Sequence, residues 1–159
     1  MRKELDELLC EKYPKIFRDR NAPMNQTCMC WGFDCGDGWF NIIDQLCANI
    51  QGHINNVEQR RNSTIEWNEN VNDPDFEWVA FVKREERSVP ELVDQVVAVQ
   101  VKEKFGTLRF YYHGGDDVID GMVGMAESMS AVTCEECGNP GTVTKGGWIR
   151  TLCETHTKS

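Results

Sequence analysis

The sequence has no long run of apolar residues, and this absence excludes a membrane-spanning segment. Its mean hydropathy is −0.51. Even so, 40% of the 159 residues are hydrophobic and five are tryptophan, which is enough for a packed core. The segment MRKELDELLCEKYP contains neither an apolar stretch nor a cleavage site of small residues. We therefore expect no signal peptide and a cytoplasmic protein.

The sequence also lacks the motifs of several common enzyme classes. It contains no phosphate-binding GxxxxGK loop, no GxSxG nucleophile elbow and no HExxH zinc-protease motif. Histidine, the usual acid/base residue, occurs three times. His113 lies close to Asp116 and Asp117 and is the alternative acid/base candidate, although a histidine in a turn explains it equally well. We therefore expect a protein that is not an enzyme.

Positive charge is scarce in this chain. The 17 Lys and Arg residues against 26 Asp and Glu residues give a formal net charge of −9. An acidic surface repels the phosphate backbone, so nucleic acid is not the expected partner. An acidic surface suits a soluble protein, and it also suits an inhibitor that binds a basic site on another protein.

Cysteine, in contrast, is plentiful. Eight cysteines are present, and four potential metal ligands follow the pattern CxxC and then CxxH: Cys134, Cys137, Cys153 and His156. Thiolates and imidazole are the preferred ligands of zinc, and four of them complete a tetrahedron. The segment between the two pairs, TVT then KGG then WIRTL, is typical of a short hairpin. We predict a structural zinc ion in a zinc-ribbon-like element.

A second cysteine group is less regular. Cys28, Cys30 and Cys35 lie in TCMCWGFDC, and Cys47 or His53 could complete a second metal site with them. The CxC spacing is poor for one ion and the segment is apolar. Buried or reduced thiols are the favoured interpretation.

The pattern of apolar residues predicts an α+β fold with an antiparallel sheet and packed helices. We expect an α+β domain over residues 1–131 and a zinc-binding hairpin over 132–159, appended to the same domain. Helices are predicted over these ranges: 2–12, 39–60 and 116–131. Residues 62–78 are acidic and turn-rich, residues 78–86 predict a strand, and SVPELVD predicts a brief helical turn.

The helix over 116–131 follows HGG, and Asp116 or Asp117 is expected to cap it. Its residues Val118, Met122, Met125 and Met129 share one face. We expect this methionine stripe to lie in the core.

Residues 97–112 predict a hairpin with its turn at Phe105-Gly106. This turn places Lys102 opposite Arg109 and Glu103 opposite Leu108. Strict alternation then defines two faces. The core face is predicted to hold Val97, Val99, Val101, Leu108, Phe110 and Tyr112. The second face, here called the cationic face, is predicted to hold Gln100, Lys102, Lys104, Arg109, Tyr111 and His113.

The cationic face has the groups that a phosphorylated ligand requires. Arginine grips a phosphate through two N–H groups, lysine neutralises it, and a tyrosine ring can stack on a base. We predict that a phosphorylated, nucleotide-like molecule binds to Lys102, Lys104, Arg109, Tyr111, His113 and Trp39. The alternative is a solvated sheet face whose cations pair with nearby carboxylates.

The motif KEKFGTLRFY, followed by CEECG and a late CxxH, resembles a family of small proteins encoded by bacteriophages and prophages. The resemblance extends over YPKIF, GDGWFNII, QVKEKFGTLRFYY and the C-terminal cysteines. The family supplies no established activity. It implies a setting, because small phage proteins without enzymatic motifs often act against host defences, by sequestering a nucleotide immune signal or by blocking a host protein.

Three functions follow from these observations. The leading one is a non-catalytic sponge for a nucleotide-derived immune signal, acting in the host cytoplasm. The second is an inhibitor that binds a host protein through its acidic surface. The third is a zinc-containing protein associated with nucleic acid. A homo-oligomer is compatible with each of them.

Overall fold

The computed structural model describes residues 1–71, 73, 85–144 and 146–158. Its regular elements, in chain order, are as follows. The main part contains α1 Lys3–Lys12, a 3₁₀ turn Cys28–Trp31, β1 Phe33–Asp34, a second 3₁₀ turn Asp37–Trp39, α2 Phe40–Asn70, β2 Asp94–Lys104, β3 Thr107–Gly115 and α3 Asp117–Ser130. The C-terminal part contains β4 Thr142–Val143, β5 Thr151–Leu152 and α4 Glu154–Thr157. The α+β prediction is confirmed. Within the described ranges, no helix has the length and apolarity needed to cross a membrane.

The main sheet has the strand order β1-β2-β3. β2 and β3 form the predicted antiparallel hairpin around Phe105-Gly106. Both turn residues have positive φ, 55° and 79°. Two-residue hairpin turns adopt such values because they match the right-handed twist of the flanking strands. β1 runs parallel to β2, so the sheet is mixed rather than wholly antiparallel. The parallel pairing is possible because α2 forms the crossover between these two strands.

The predicted register of the hairpin is confirmed near the turn, where Lys102 pairs with Arg109 and Glu103 with Leu108. Further from the turn, the register shifts by one residue between Ala98 and Gln100. This bulge leaves Val99 without a partner and reverses the alternation of β2 beyond it. The buried cluster therefore includes Val96, Ala98 and Val101 of β2. The prediction that Val99 lies on the core face was wrong, because strict alternation takes no account of a bulge, whereas Val97 is buried but lies outside this cluster.

Helix α2 is longer than predicted. Its first half buries an apolar stripe against the sheet: Ile42, Ile43, Leu46, Cys47, Ile50 and Ile54. It then continues to Asn70, through the first half of the segment that was predicted to be turn-rich, because residues 53–70 contain neither glycine nor proline. The helical turn predicted over 88–94 is absent, since residues 85–93 have no regular structure. The strand predicted over 78–86 lies mostly outside the described residues.

Helix α3 is capped as predicted, with Asp116 accepting a hydrogen bond of 3.1 Å from the Ile119 backbone N–H. Its buried face is formed by Ile119, Val123, Ala126 and Ser130. The methionine stripe therefore does not form the core: Val118, Met125 and Met129 are 52%, 68% and 49% exposed. Because α3 is apolar on two faces, its own sequence does not determine which face packs inward.

Helix α3 also closes the free edge of the sheet. The backbone N–H groups of Leu108 and Phe110 on β3 donate to Ser130 Oγ and Glu127 Oε1, at 2.8 and 3.1 Å. These side chains satisfy edge donors that would otherwise be unpaired. As a result, α3 and β3 form one unit with the hairpin.

Candidate metal centre and cationic face

The four predicted metal ligands lie together. The ligand atoms of Cys134, Cys137, Cys153 and His156 are all within 4.8 Å of one another. Cys137 Sγ is 3.8 Å from Cys153 Sγ, and His156 Nδ1 is 3.2 and 3.5 Å from the sulfurs of Cys153 and Cys134. A tetrahedral zinc ion would separate two sulfurs by about 3.8 Å and a sulfur from a nitrogen by about 3.6 Å. The donor set and its spacing therefore fit a zinc ion.

Local backbone geometry brings each ligand pair to the centre. In the first pair, the Gly138 N–H donates 2.8 Å to the Cys134 carbonyl, and Gly138 has φ 77°, a conformation that favours glycine. In the second pair, Cys153 precedes α4, and the His156 N–H donates 3.1 Å to its carbonyl. The predicted hairpin between the pairs is confirmed, because Thr142 pairs with Leu152 and Val143 with Thr151.

The surroundings of Cys153 favour the ionised thiol, whereas the neighbouring thiols raise the pKa of Cys137. The backbone N–H of His156, together with its ring, lowers the pKa of the Cys153 thiol from 9.0 to about 6. The neighbouring thiolates in turn raise the pKa of His156. A thiolate is the form of cysteine that binds a metal. Cys153 is thus already largely ionised at neutral pH.

The metal centre is tied to the main domain through the loop before α2. Gly38 donates its N–H to the Glu135 carbonyl at 2.7 Å, and Gly36 donates to Glu135 Oε1 at 3.0 Å. A β-carbon at Gly38 would lie 2.2 Å from the Cys134 carbonyl oxygen, so the two backbones meet where a side chain would not fit. The segment GDGW therefore forms the seat of the first ligand pair. The sequence analysis did not identify this role, although paired glycines before a helix are a signal for close backbone approach.

Arg150 adds a charged contact beneath the same ligand pair. Its guanidinium lies 3.3 Å from Glu135 Oε2 and also contacts Glu136. Glu135 is buried, so this pair compensates a carboxylate beside the cluster.

In the described part of the chain, the C-terminal cluster is the one group of three or more possible metal ligands. The other cysteines therefore do not form a second metal group there. Cys30 Sγ donates to the Thr27 carbonyl at 3.2 Å, and Cys28 is exposed. Burial raises the pKa of Cys35 to about 12, so it stays a neutral thiol. Cys47 is buried in α2. The preferred interpretation, reduced thiols without a metal, agrees with these positions.

The cationic face is arranged as the hairpin pairing requires. Lys102 and Arg109 are cross-strand partners, and Lys104 pairs with Thr107 on the same side. The Lys102 ammonium lies 5.6 Å from the centre of the Tyr111 ring, and the Lys104 ammonium 5.7 Å from the Phe105 ring. Such cation–π contacts hold both ammonium groups near aromatic surfaces.

The three cations of this face differ in their partners. Arg109 is committed to the protein, because it donates to Thr107 Oγ1 at 2.7 Å and lies 3.6 Å from Glu127 Oε2. Lys102 and Lys104 have no ion pair with another described residue. Asp34 is the partner of Lys102 in the parallel pairing of β1 with β2, and no ion pair between them is formed. The two lysines are therefore the cations that remain open to a ligand.

Two predicted ligand residues are not near these lysines. Trp39 is fully buried and donates its indole N–H to the Thr133 carbonyl, so its inclusion in a ligand site was wrong. His113 is exposed on β3, six residues beyond Thr107, which corresponds to about 20 Å along a strand. One mononucleotide cannot contact both His113 and Lys104.

The structure adds aromatic residues that the sequence analysis did not include. A pocket of about 470 Å³ lies at the turn end of the sheet, and we call it the turn pocket. It is lined by Asp34, Glu103, Lys104, Phe105, Gly147, Trp148 and Ile149. Phe105 and Trp148 are 69% and 79% exposed. Trp148 follows Gly146-Gly147 in the hairpin, and a tryptophan at a glycine turn tip was the available signal.

Comparisons of this chain with protein-family models, with curated proteins and with solved structures find no significant match.

Proposed function

We propose that this protein holds a structural zinc ion at the C-terminal cluster and binds a phosphorylated, nucleotide-like molecule at the turn pocket. For zinc, the supporting observation is the match between the ligand spacings and a closed tetrahedron of three thiolates and one imidazole. All four positions are filled by protein atoms, so the ion stabilises the fold and does not activate a substrate. It also holds together the hairpin that carries Trp148, one of the residues that line the turn pocket.

For the ligand, the supporting observation is the position of Lys102 and Lys104, which have no ion-pair partner among the described residues, beside exposed aromatic rings. The phosphate lies against Lys104, which lines the pocket, with Lys102 two residues away on the same strand, and the base stacks between Phe105 and Trp148. Asp34 lines the same pocket and accepts hydrogen bonds from an amino group of the base or a ribose hydroxyl. Its charge keeps the phosphate on the lysine side. In this arrangement the phosphate of the ligand occupies the lysine side of the pocket, and the base occupies the aromatic side.

The ligand is bound and released unchanged. The resemblance to phage proteins makes a nucleotide-derived immune signal the expected ligand class, and sequestration of that signal the expected effect. This function requires tight binding and a stable protein rather than a reactive group.

The first test is a thermal-shift and calorimetric titration with ATP, ADP-ribose and cyclic dinucleotides, followed by mass spectrometry of the released ligand. At least one nucleotide is expected to stabilise the protein and to be recovered intact. Lys104→Gln should weaken its binding about ten-fold, because a charge-assisted phosphate contact is lost. Trp148→Ala should weaken it by a similar factor through lost stacking.

The matched control is Lys3→Gln, which removes an equal charge from an exposed pair with Glu7 on α1. It should leave binding unchanged. The ligand proposal is overturned if no member of the panel binds, or if Lys104→Gln binds as the parent protein does. Recovery of an altered nucleotide would contradict the non-catalytic part of the proposal.

A further inference from the structure

An apolar surface remains uncovered on the side of the molecule formed by α2 and α3. Its centre is a groove of about 270 Å³ between the two helices. We call this surface the methionine face and define it by Ile42, Leu46, Met122, Met125 and Met129. Met125 is 68% exposed and Met129 49% exposed. Val118 near the start of α3 and Val132 just beyond its end continue the stripe, at 52% and 62%. Contiguous apolar surface of this kind marks an interaction site more often than scattered exposed residues do.

The methionine face carries no ionisable side chain among the residues that line its groove. Its rim on α2 is formed by the amides Asn41, Gln45 and Asn49. This is unusual in a chain of which 27% is charged. Two of the three acidic residues of α3 are engaged elsewhere: Asp120 accepts from the Tyr112 hydroxyl, and Glu127 accepts from the Phe110 backbone.

This charge distribution selects among the possible occupants. A cationic helix would be expected to meet an acidic rim, and an anionic membrane surface would require cations beside the apolar stripe. The lining of the groove has neither acidic nor basic residues. Two copies of an acidic chain, however, repel each other least where the contact surface carries no carboxylates. The methionine face meets that requirement.

The shape of the face also suits contact with itself. A two-fold interface brings the same patch of both copies together, so the patch needs both a projection and a depression. Met125 projects, and the groove beside it, between Ile42, Leu46 and Met122, is the depression. A β-carbon at Gly121 would contact nothing within 4 Å, so this part of α3 leaves room for a neighbouring helix. Methionine side chains adapt readily to such a contact.

From these observations we propose that the protein forms a two-fold dimer through the methionine face, with α2 and α3 of both copies packed as four helices. α3 has 14 residues and is about 21 Å long. A face two helices wide and of this length buries less than the roughly 800 Å² per partner of a standard interface. We therefore expect a weak dimer, with dissociation in the micromolar range. This inference is independent of the turn pocket and its ligand.

Sedimentation velocity of the zinc-loaded protein over a range from about 1 to 500 μM tests the proposal across the expected dissociation range. The weight-average mass should rise from monomer to dimer with concentration. Association should be stronger at moderate salt than at low salt, because salt screens the repulsion between two chains of charge −9.

Two variants locate the interface. Met125→Glu places two carboxylates in the contact and should weaken association at least ten-fold. Gly121→Gln adds a side chain where a β-carbon meets nothing within 4 Å, and should also weaken association by occupying space next to the second copy. Met24→Glu is the matched control, because Met24 is equally exposed at 68% and lies in a loop outside the groove.

Each remaining outcome overturns the proposal. A monomer at every concentration and salt condition would exclude the dimer. A dimer that is unaffected by Met125→Glu and Gly121→Gln would place the contact on another surface. Circular dichroism and the melting temperature of each variant show whether its fold is retained, so a loss of association through unfolding is recognised.

Discussion

The indole N–H of Trp39 donates a hydrogen bond of 2.8 Å to the carbonyl oxygen of Thr133, the residue before the first cysteine ligand. Trp39 is fully buried in the main core. A second connection joins the Thr151 hydroxyl, next to the other ligand pair, to the carbonyl oxygen of Gly106 in the hairpin turn. Both ends of the metal cluster are thus hydrogen-bonded to the main domain. Metal binding and the stability of the whole fold should therefore be linked.

Replacement of a metal ligand tests this link. Cys137→Ser should abolish zinc binding and lower the melting temperature of the entire domain in a single transition. Cys28→Ser is the matched control, because both cysteines are exposed but Cys28 lies outside the cluster. We expect one zinc per chain, by elemental mass spectrometry, in the parent protein and in Cys28→Ser. A melting temperature that is unchanged by Cys137→Ser or by chelation would show that the cluster folds independently of the main domain.

The close seat of the first ligand pair gives a second prediction. Gly38→Ala places a β-carbon 2.2 Å from the Cys134 carbonyl and 2.4 Å from the Gly138 nitrogen, both backbone atoms that cannot rotate away. We expect a loss of at least about 2 kcal/mol in the free energy of unfolding, together with weaker zinc binding. Chemical denaturation and chelator competition measure the two effects.

Gly52→Ala is the control for that variant. Gly52 lies inside α2, and a β-carbon there meets nothing within 4 Å. Alanine should therefore stabilise the protein by about 0.5–1 kcal/mol, because it favours the helix. Equal effects of the two substitutions would contradict the role of Gly38 as a contact with the metal-binding loop.

The metal cluster and the hairpin register could be predicted from sequence because short-range spacing determines both. Two cysteines separated by two residues approach one ion through local backbone geometry alone. A two-residue turn at Phe105-Gly106 likewise fixes the pairing of Lys102 with Arg109. In each case the chemistry of a few neighbouring residues leaves little freedom to the rest of the fold.

The features that could not be predicted depend on contacts between distant segments. Alternation along β2 gave no sign of the bulge at Val99, which arises where the strand meets its partners. The two apolar stripes of α3 were equally suited to burial. Packing against β3 and α2 buries the stripe of Ile119 and leaves that of Met125 exposed. Trp39 was included among the ligand residues although a packed tryptophan at a helix entry also fitted the sequence, and its burial involves a hydrogen bond to Thr133, 94 residues away.

The buried pair of Asp6 and Arg20 supports the strand beside the cationic face and gives the last prediction. Arg20 donates to both carboxylate oxygens of Asp6, at 2.9 and 3.1 Å, and the Phe33 backbone N–H on β1 donates to the same carboxylate at 3.3 Å. Asp6→Ala leaves a partly buried guanidinium and a buried N–H without this acceptor. We expect a loss of about 3 kcal/mol in the free energy of unfolding, measured by urea denaturation.

The neighbouring acidic residue supplies the comparison. Glu7 on the same helix pairs with Lys3 in solvent, at 3.5 Å, and Glu7→Ala should change stability by less than about 0.5 kcal/mol. If Asp6→Ala costs no more than Glu7→Ala, water replaces the lost acceptor and β1 does not depend on the carboxylate. If the larger loss is observed, nucleotide binding by Asp6→Ala should weaken as well, because Asp34 follows Phe33 directly and lines the turn pocket.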